Sequence, residues 1–563
     1  MTATRPAPAT EPAPTHGDSL AATLAGTGIL LRFALRRDRV RMVVWALGLV
    51  LGTVMSAASF EGAYPDEAAR QSLIESTAGP AGLALTGPAE YLTDYTYASM
   101  LAHQMIGFSG VLIALMAVLT VTRHSRNEEE TGRSELLRAG VLGRHAQLTA
   151  ALAAAAVSSL LIGLLLALSL IGLDIEGTTT SGALMYGLAH TAVALVFAGA
   201  AAVTVQLTAH TRAASGMALA AVGAAYALRA AGDATGDLAE GGAGGGVWLS
   251  WLSPIGWAQR TFVFVDDRWW PLLLCLVLAG GLAALGYVLS THRDVGAGLW
   301  AARGGRPRAS GALAHPFGMA LRLQRGLLIG FAIGVALLGA MYGSVIGEVE
   351  GMLGDVDVIQ ESLAQLGGAT LAESFVSMVL IPLSTVAAVY AVLASLRVRA
   401  EETGGRAESL LATGLSRVRW AAGHLAVALL GSAAALAAGG LVLGVTGALA
   451  LGDGGLVGSV LGASLAYGPA LWMTVGVAAL LIGWAPRASV VAWAMPVGAF
   501  VLGYLGGLLD FPQWLINLSP FTHVPRLPAQ EMAWTPVLVL TALAAGLLWL
   551  GLLGLRRRDL ELK

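Results

Sequence analysis

Lysine is almost missing from this chain: the only one is Lys563, the final residue. A phosphate-gripping loop of the form G-x-x-x-x-G-K-[ST] needs its lysine to reach nucleotide phosphates, so the chain carries no such loop. Cysteine is equally scarce. Cys275 stands alone inside an apolar run, which excludes a disulfide framework and a cysteine-based metal site. Charge is also thin, at 12% Asp, Glu, Lys and Arg against about 25% in soluble proteins. The net charge of -2 offers nothing to attract nucleic acid.

What remains is 56% hydrophobic, gathered into runs long enough to cross a bilayer. They begin near Met42, Met100, Ala146, Ala183, Ala213 and Pro271, and again near Leu327, Phe375, Ala421, Leu456, Ala488 and Pro536. The intervals alternate in charge. Arginines collect at 123–144, 212, 293–308, 397–419, 487 and 556–558, whereas Ile346 to Ser374 holds six acidic residues and no basic one. The positive-inside rule then places both termini and the Arg-rich segments in the cytoplasm. The expectation is an all-α integral membrane protein with about twelve spans. Its boundaries are a disordered cytoplasmic tail (1–25), a first six-span half (26–292), a cytoplasmic linker (293–315) and a second six-span half (316–563).

The halves resemble each other. "EEETGRSELLRAGVLGR" from Glu128 is matched by "EETGGRAESLLATGLSR" from Glu401, "WLSWLSPIGWAQR" from Trp248 by "WLINLSPFTHVPR" from Trp514, and "HRDV" from His292 by "RRDL" from Arg557. Six spans per copy is an even number, so the copies share one orientation. A parallel repeat of this kind implies a pseudo-two-fold axis along the membrane normal. In the first charged segment Asn127 and Glu130 have the spacing of a capping box, with Glu128 to Glu130 in a first helical turn, Leu136, Leu137 and Val141 on an apolar side, and Gly140 as terminator. A short amphipathic helix between the second and third spans is expected.

A segment of the form Glu-x-Gly-x-x-Glu-x-Leu-Leu followed by Arg, Leu-Ser-Pro before each sixth span and Arg-Asp after it resemble type-2 ATP-binding-cassette exporter permeases. The two-half chain is most similar to the actinobacterial polyketide-antibiotic exporters of the tetronasin type. The resemblance implies that the charged segments are coupling helices. Glu129, Glu130, Gly132, Glu135 and Arg144 in the first copy, and Glu401, Glu402, Gly404, Glu408 and Arg417 in the second, would meet a groove on a separate ATPase. It implies two ATPase copies holding ATP and Mg, no cofactor on this chain, interfacial elbow helices at "FALRRDR" and "MALRLQR", re-entrant external segments at Trp248 and Trp514, and a bacterial plasma (inner) membrane. It also implies a pathway lined from the second and fifth spans of each half: His103, Gln104, Met105, Phe108, Met217, Tyr226, Phe375, Met378, Tyr390, Trp493, Phe500 and Tyr504. Aromatic and Met side chains suit a hydrophobic small molecule. The alternative is a proton-coupled twelve-span drug antiporter, for which His103, His190 and His424 are the titratable candidates. A third idea, metal chelation by Asp355 and Asp357, fits chance pairing in an acidic loop.

Overall fold

The computed structural model of the chain describes residues 20–133, 142–236, 244–300, 308–353, 370–504 and 511–559. Among the described residues regular structure is helical throughout, and twelve helices are long and apolar enough to cross a membrane. In chain order they are α1 (Thr27–Ala63), α2 (Tyr97–Glu130), α3 (Ala146–Leu173), α4 (Thr180–Leu207), α5 (Thr211–Asp233) and α6 (Trp270–Thr291). They continue as α7 (Pro316–Gly347), α8 (Leu371–Thr403), α9 (Arg417–Leu451), α10 (Gly455–Trp484), α11 (Pro486–Gly503) and α12 (Trp534–Arg557). Two compact units divide the chain, 1–304 and 305–563.

In the first unit α4 is the most enclosed helix and packs against α2, α3 and α6, while α3 also packs against α1. Side chains start several helices. Thr96 accepts from Ser99 N at 3.3 Å, Thr179 from Gly182 N at 3.0 Å, and Thr370 forms a full capping box with Glu373, which satisfies backbone donors that a helix start leaves unpaired. Small residues let backbones meet. A Cβ on Gly163 would run into the Gly187 carbonyl oxygen, and one on Gly187 into that of Gly163, so α3 and α4 touch where neither has a side chain.

The expected elbow segments are not separate helices. "FALRRDR" lies within α1, which runs unbroken for 37 residues, or about 55 Å at 1.5 Å per residue, well beyond a hydrocarbon core of about 30 Å. "MALRLQR" likewise belongs to the helix that begins at Pro316. Neither stretch contains glycine or proline, so the hydrogen-bond ladder carries through.

The second unit is less regular. α10 breaks at Tyr467, where Pro469 opens the next helical segment. α11 passes from 3₁₀ (Pro486–Trp493) through α (Ala494–Gly498) to π geometry (Ala499–Tyr504); Pro496 cannot donate to the carbonyl four residues back. Its counterpart α5 is plain α-helix.

The two Leu-Ser-Pro motifs have one local cause. Ser253 accepts from Ile255 N and Gly256 N, with Pro254 opening the six-residue helix Pro254–Gln259. Ser519 accepts from Phe521 N, with Pro520 opening the 3₁₀ turn Pro520–His523. Serine at the cap and proline at the first helical position is the favoured start.

Candidate functional site

The arginine-rich end of α2 is held by a carboxylate clamp. Helix α2 kinks at Ser125 and resumes as Arg126–Glu130. Glu129, its side chain 4% exposed, receives two bonds of 2.8 Å from the Arg293 guanidinium and one of 2.8 Å from Arg126. Arg126 is buried and also donates to the Val205 carbonyl at the end of α4, through Nε at 2.9 Å, and to Ala297 O at 3.0 Å. One carboxylate therefore joins the ends of α2 and α4 to the segment after α6. A planar guanidinium meeting a carboxylate through two parallel bonds fixes orientation as well as distance.

The second unit builds the same device. Glu402, fully buried, receives two bonds of 2.7 Å from Arg558, lies 3.3 Å from Arg399, and Arg558 Nε reaches the Ile482 carbonyl of α10 at 3.1 Å. The Arg-Asp that follows each sixth span thus has a mechanical role, because Arg293 and Arg558 pin it to the second span.

The clamps correct the expected register. Arg126, Glu128, Glu129 and Arg133 correspond in geometry to Arg399, Glu401, Glu402 and Arg406: Glu128 faces Arg133 at 3.9 Å and Glu401 faces Arg406 at 2.6 Å. Gly132 and Gly405 both adopt left-handed φ, 72° and 71°, a conformation that glycine enters without steric cost. Glu130 therefore corresponds to Thr403, and Gly132 to Gly405 in place of Gly404. The bound arginines decide the match where the shared letters Glu-Glu-Thr-Gly misalign it by one.

The Asn127 cap does not form. Glu129 N bonds Ser125 O and Thr131 N bonds Asn127 O, so Asn127 already sits inside the turn. Residues 134–141, with Glu135, Leu136, Leu137, Gly140 and Val141, lie outside the described residues, as do Asp355 and Asp357. In the second unit Arg406–Leu411 is a helix of six residues. Its Ala407 is buried, Leu410 and Leu411 pack beside Trp420, and Glu408 is exposed. Glu130 is also open, its side chain 43% exposed while accepting from Thr211 N at 2.8 Å. Arg144 donates to Thr291 O at 2.8 Å and Arg417 to Arg558 O at 2.9 Å; each binds the carbonyl end of a sixth span.

The expected pathway residues divide by exposure. Phe108, Met378 and Phe500 are exposed; Gln104, Met105, Met217, Tyr226, Phe375 and Trp493 are half-buried. Tyr504 closes the π segment. His103 and Tyr390 are fully buried and line no open surface. His103 is stacked on Tyr91 and bonded to Tyr95 at 3.0 Å, while Tyr390 fills the space at Gly431 and Phe331.

Sequence reasoning missed the arginine partners and a second buried charge group. Arg229 and Asp233 at the far end of α5 are both fully buried and 3.7 Å apart; Arg260 meets Asp233 at 3.1 Å. Arg229 donates to Leu85 O at 3.0 Å and lies over the Tyr226 ring at 4.5 Å. The histidines occupy separate settings: His190 bonds Ser109 at 2.6 Å and Tyr186 O at 2.7 Å, and His424 bonds Gln324 at 3.0 Å.

Twelve apolar helices, with arginines clamped at the ends of the second, fourth and sixth spans of each unit, define a multi-pass membrane protein of permease type. The chain belongs to the multidrug efflux permease family described as "Multidrug efflux system permease Rv1217c, C-terminal domain", which matches residues 30–289 and 313–556. It is 40% identical over 565 residues to the multidrug efflux system permease protein Rv1217c of Mycobacterium tuberculosis (strain ATCC 25618 / H37Rv), an alignment covering 99% of this chain and 98% of that protein.

Proposed function

We propose that the chain is the membrane subunit of an ATP-driven exporter that extrudes hydrophobic, drug-like compounds, working with two copies of a separate ATPase that hold ATP and Mg. The reading follows the drug-efflux family and the likeness to type-2 ATP-binding-cassette permeases, including their tetronasin-type branch. The observation that carries it is the paired clamp. Glu129 with Arg293, and Glu402 with Arg558, make the ends of a second, fourth and sixth span one mechanical body beside each charged segment. A push delivered to that segment by a closing ATPase would move the joined span ends together, as alternating access requires.

In this reading the termini and clamps are cytoplasmic and the membrane is the bacterial inner membrane. The buried Glu129, Glu401 and Glu402 support the docking segments from within. Glu130 and Glu408, being exposed, are the carboxylates free to meet the ATPase. Phe108, Met378 and Phe500 offer apolar surface to the transported compound.

The test is accumulation of a fluorescent hydrophobic drug in inside-out vesicles from cells expressing the chain and its ATPase. MgATP should drive uptake that persists after the proton gradient is collapsed. Uptake driven by the gradient alone would favour the antiporter and its histidines.

A further inference from the structure

A cavity of about 710 Å³ opens in the first unit between α1, α2, α3 and α5. Its two ends differ. Arg37, Arg41 and Arg123 stand at one end, and Trp45, Met116 and Leu119 form the wall beyond. Helices α1 and α2 run in opposite senses, so Trp45 lies one turn past Arg41 and Met116 about 10 Å from Arg123, both away from the arginine end.

The arginines are not equally satisfied. Arg37 pairs with Glu128, and Arg123 lies 3.2 Å from Asp38, which also bonds His124 at 2.5 Å. Arg41 is exposed and has no ion pair among the described residues. The lining thus keeps one positive charge without a carboxylate. Nor is it a requirement of topology: at the positions of the second unit that match Arg37, Arg41 and Arg123 the sequence has Leu323, Leu327 and Leu396.

We infer that this cavity binds an amphiphile with one anionic group, the anion at Arg41 and the apolar body against Trp45, Met116 and Leu119. The volume lies within the usual range of small-molecule sites, about 300–1,000 Å³, and Thr211 and Ser215 from α5 supply neutral polar edges. Two sources share this chemistry: an acidic lipid, or an anionic compound on its way out. Assigning the second source rests on the export reading; the binding site does not.

The test uses the purified full chain in phosphatidylcholine nanodiscs, without ATPase, and the fluorescent fatty acid cis-parinaric acid beside its uncharged methyl ester. The acid should bind about tenfold tighter than the ester. Arg41→Gln should abolish that preference, Arg41→Lys should keep most of it, and Trp45→Leu should weaken both probes. Equal binding of acid and ester by the unaltered chain, or full preference in Arg41→Gln, would overturn the inference. Nanodiscs containing phosphatidylglycerol separate the sources: displacement of the acid assigns the site to lipid, and retention assigns it to a transported anion. Failure of ATP-driven uptake would leave this result untouched.

Discussion

Breaking the Glu402–Arg558 clamp has a cost that follows from its contacts. Glu402→Gln removes a fully buried carboxylate from two bonds of 2.7 Å and from Arg399 at 3.3 Å. Breaking a buried pair on one side costs about 3–5 kcal/mol. The Arg558 side chain keeps 15% exposure and recovers some hydration, which points to the low end, about 3 kcal/mol. Arg558→Gln leaves Glu402 with Arg399 and should cost about 2 kcal/mol. The double variant should lose about 3 kcal/mol instead of the additive 5, a coupling of about 2 kcal/mol. At about 2–4 °C per kcal/mol for a unit of this size, Glu402→Gln lowers Tm by about 6–12 °C. Thermal denaturation of the detergent-solubilised protein, followed by fluorescence-detected size exclusion, measures all three. Single effects that add to within about 0.5 kcal/mol would refute the clamp.

Other outcomes are expected. Gly187→Ala drives a Cβ into the Gly163 carbonyl and should cost about 1–3 kcal/mol, read as lost yield of monodisperse protein. Tyr390→Ala should destabilise by about 3–5 kcal/mol and leave the order of drug preference unchanged in a resistance panel, whereas Phe108→Ala should alter that order with little change in Tm. Burial raises the carboxyl pKa of Glu90, which lies outside the spans between α1 and α2, although its own backbone amide opposes the shift. The charged form is therefore penalised above the raised value. Glu90→Gln should raise Tm at neutral pH, and the gain should shrink as pH falls through that value and vanish below the ordinary carboxylate range; equal gain at all pH values would contradict the burial argument. Charge reversal at Glu130 and Glu408 should impair ATP-driven export while leaving Tm within a few degrees, because both side chains are exposed.

The spans were legible because their signal is one-dimensional: an uncharged run of sufficient length needs no partner to be recognised. Leu-Ser-Pro was legible for a similar reason, since the cap and the first-turn proline act within four residues. The charged segments were legible as special but not in their detail. Sequence spacing suggested an Asn127 cap, yet the helix persists through that residue because Ser125 already supplies the carbonyl for Glu129 N. The register could not be read from the letters, because Glu-Glu-Thr-Gly matches at an offset one residue away from the one that the contacts with Arg293 and Arg558, 164 and 156 residues away, select. His103 and Tyr390 look like cavity residues by type. Their burial depends on Tyr91, Tyr95, Gly431 and Phe331, which a period of 3.6 residues does not reveal. Arg229 and Asp233 were hidden for the opposite reason: two charges near a span end look like a solvated boundary until Arg260 folds over them.

Coupling to a separate ATPase stands or falls on the composition of the native complex. The tagged chain would be purified in mild detergent from its own membrane and the accompanying proteins identified and counted by mass spectrometry. We expect a phosphate-loop ATPase at about two copies per chain, lost when Glu130 and Glu408 are both reversed in charge. Recovery of the chain alone, from membranes shown to contain that ATPase, would contradict the coupling.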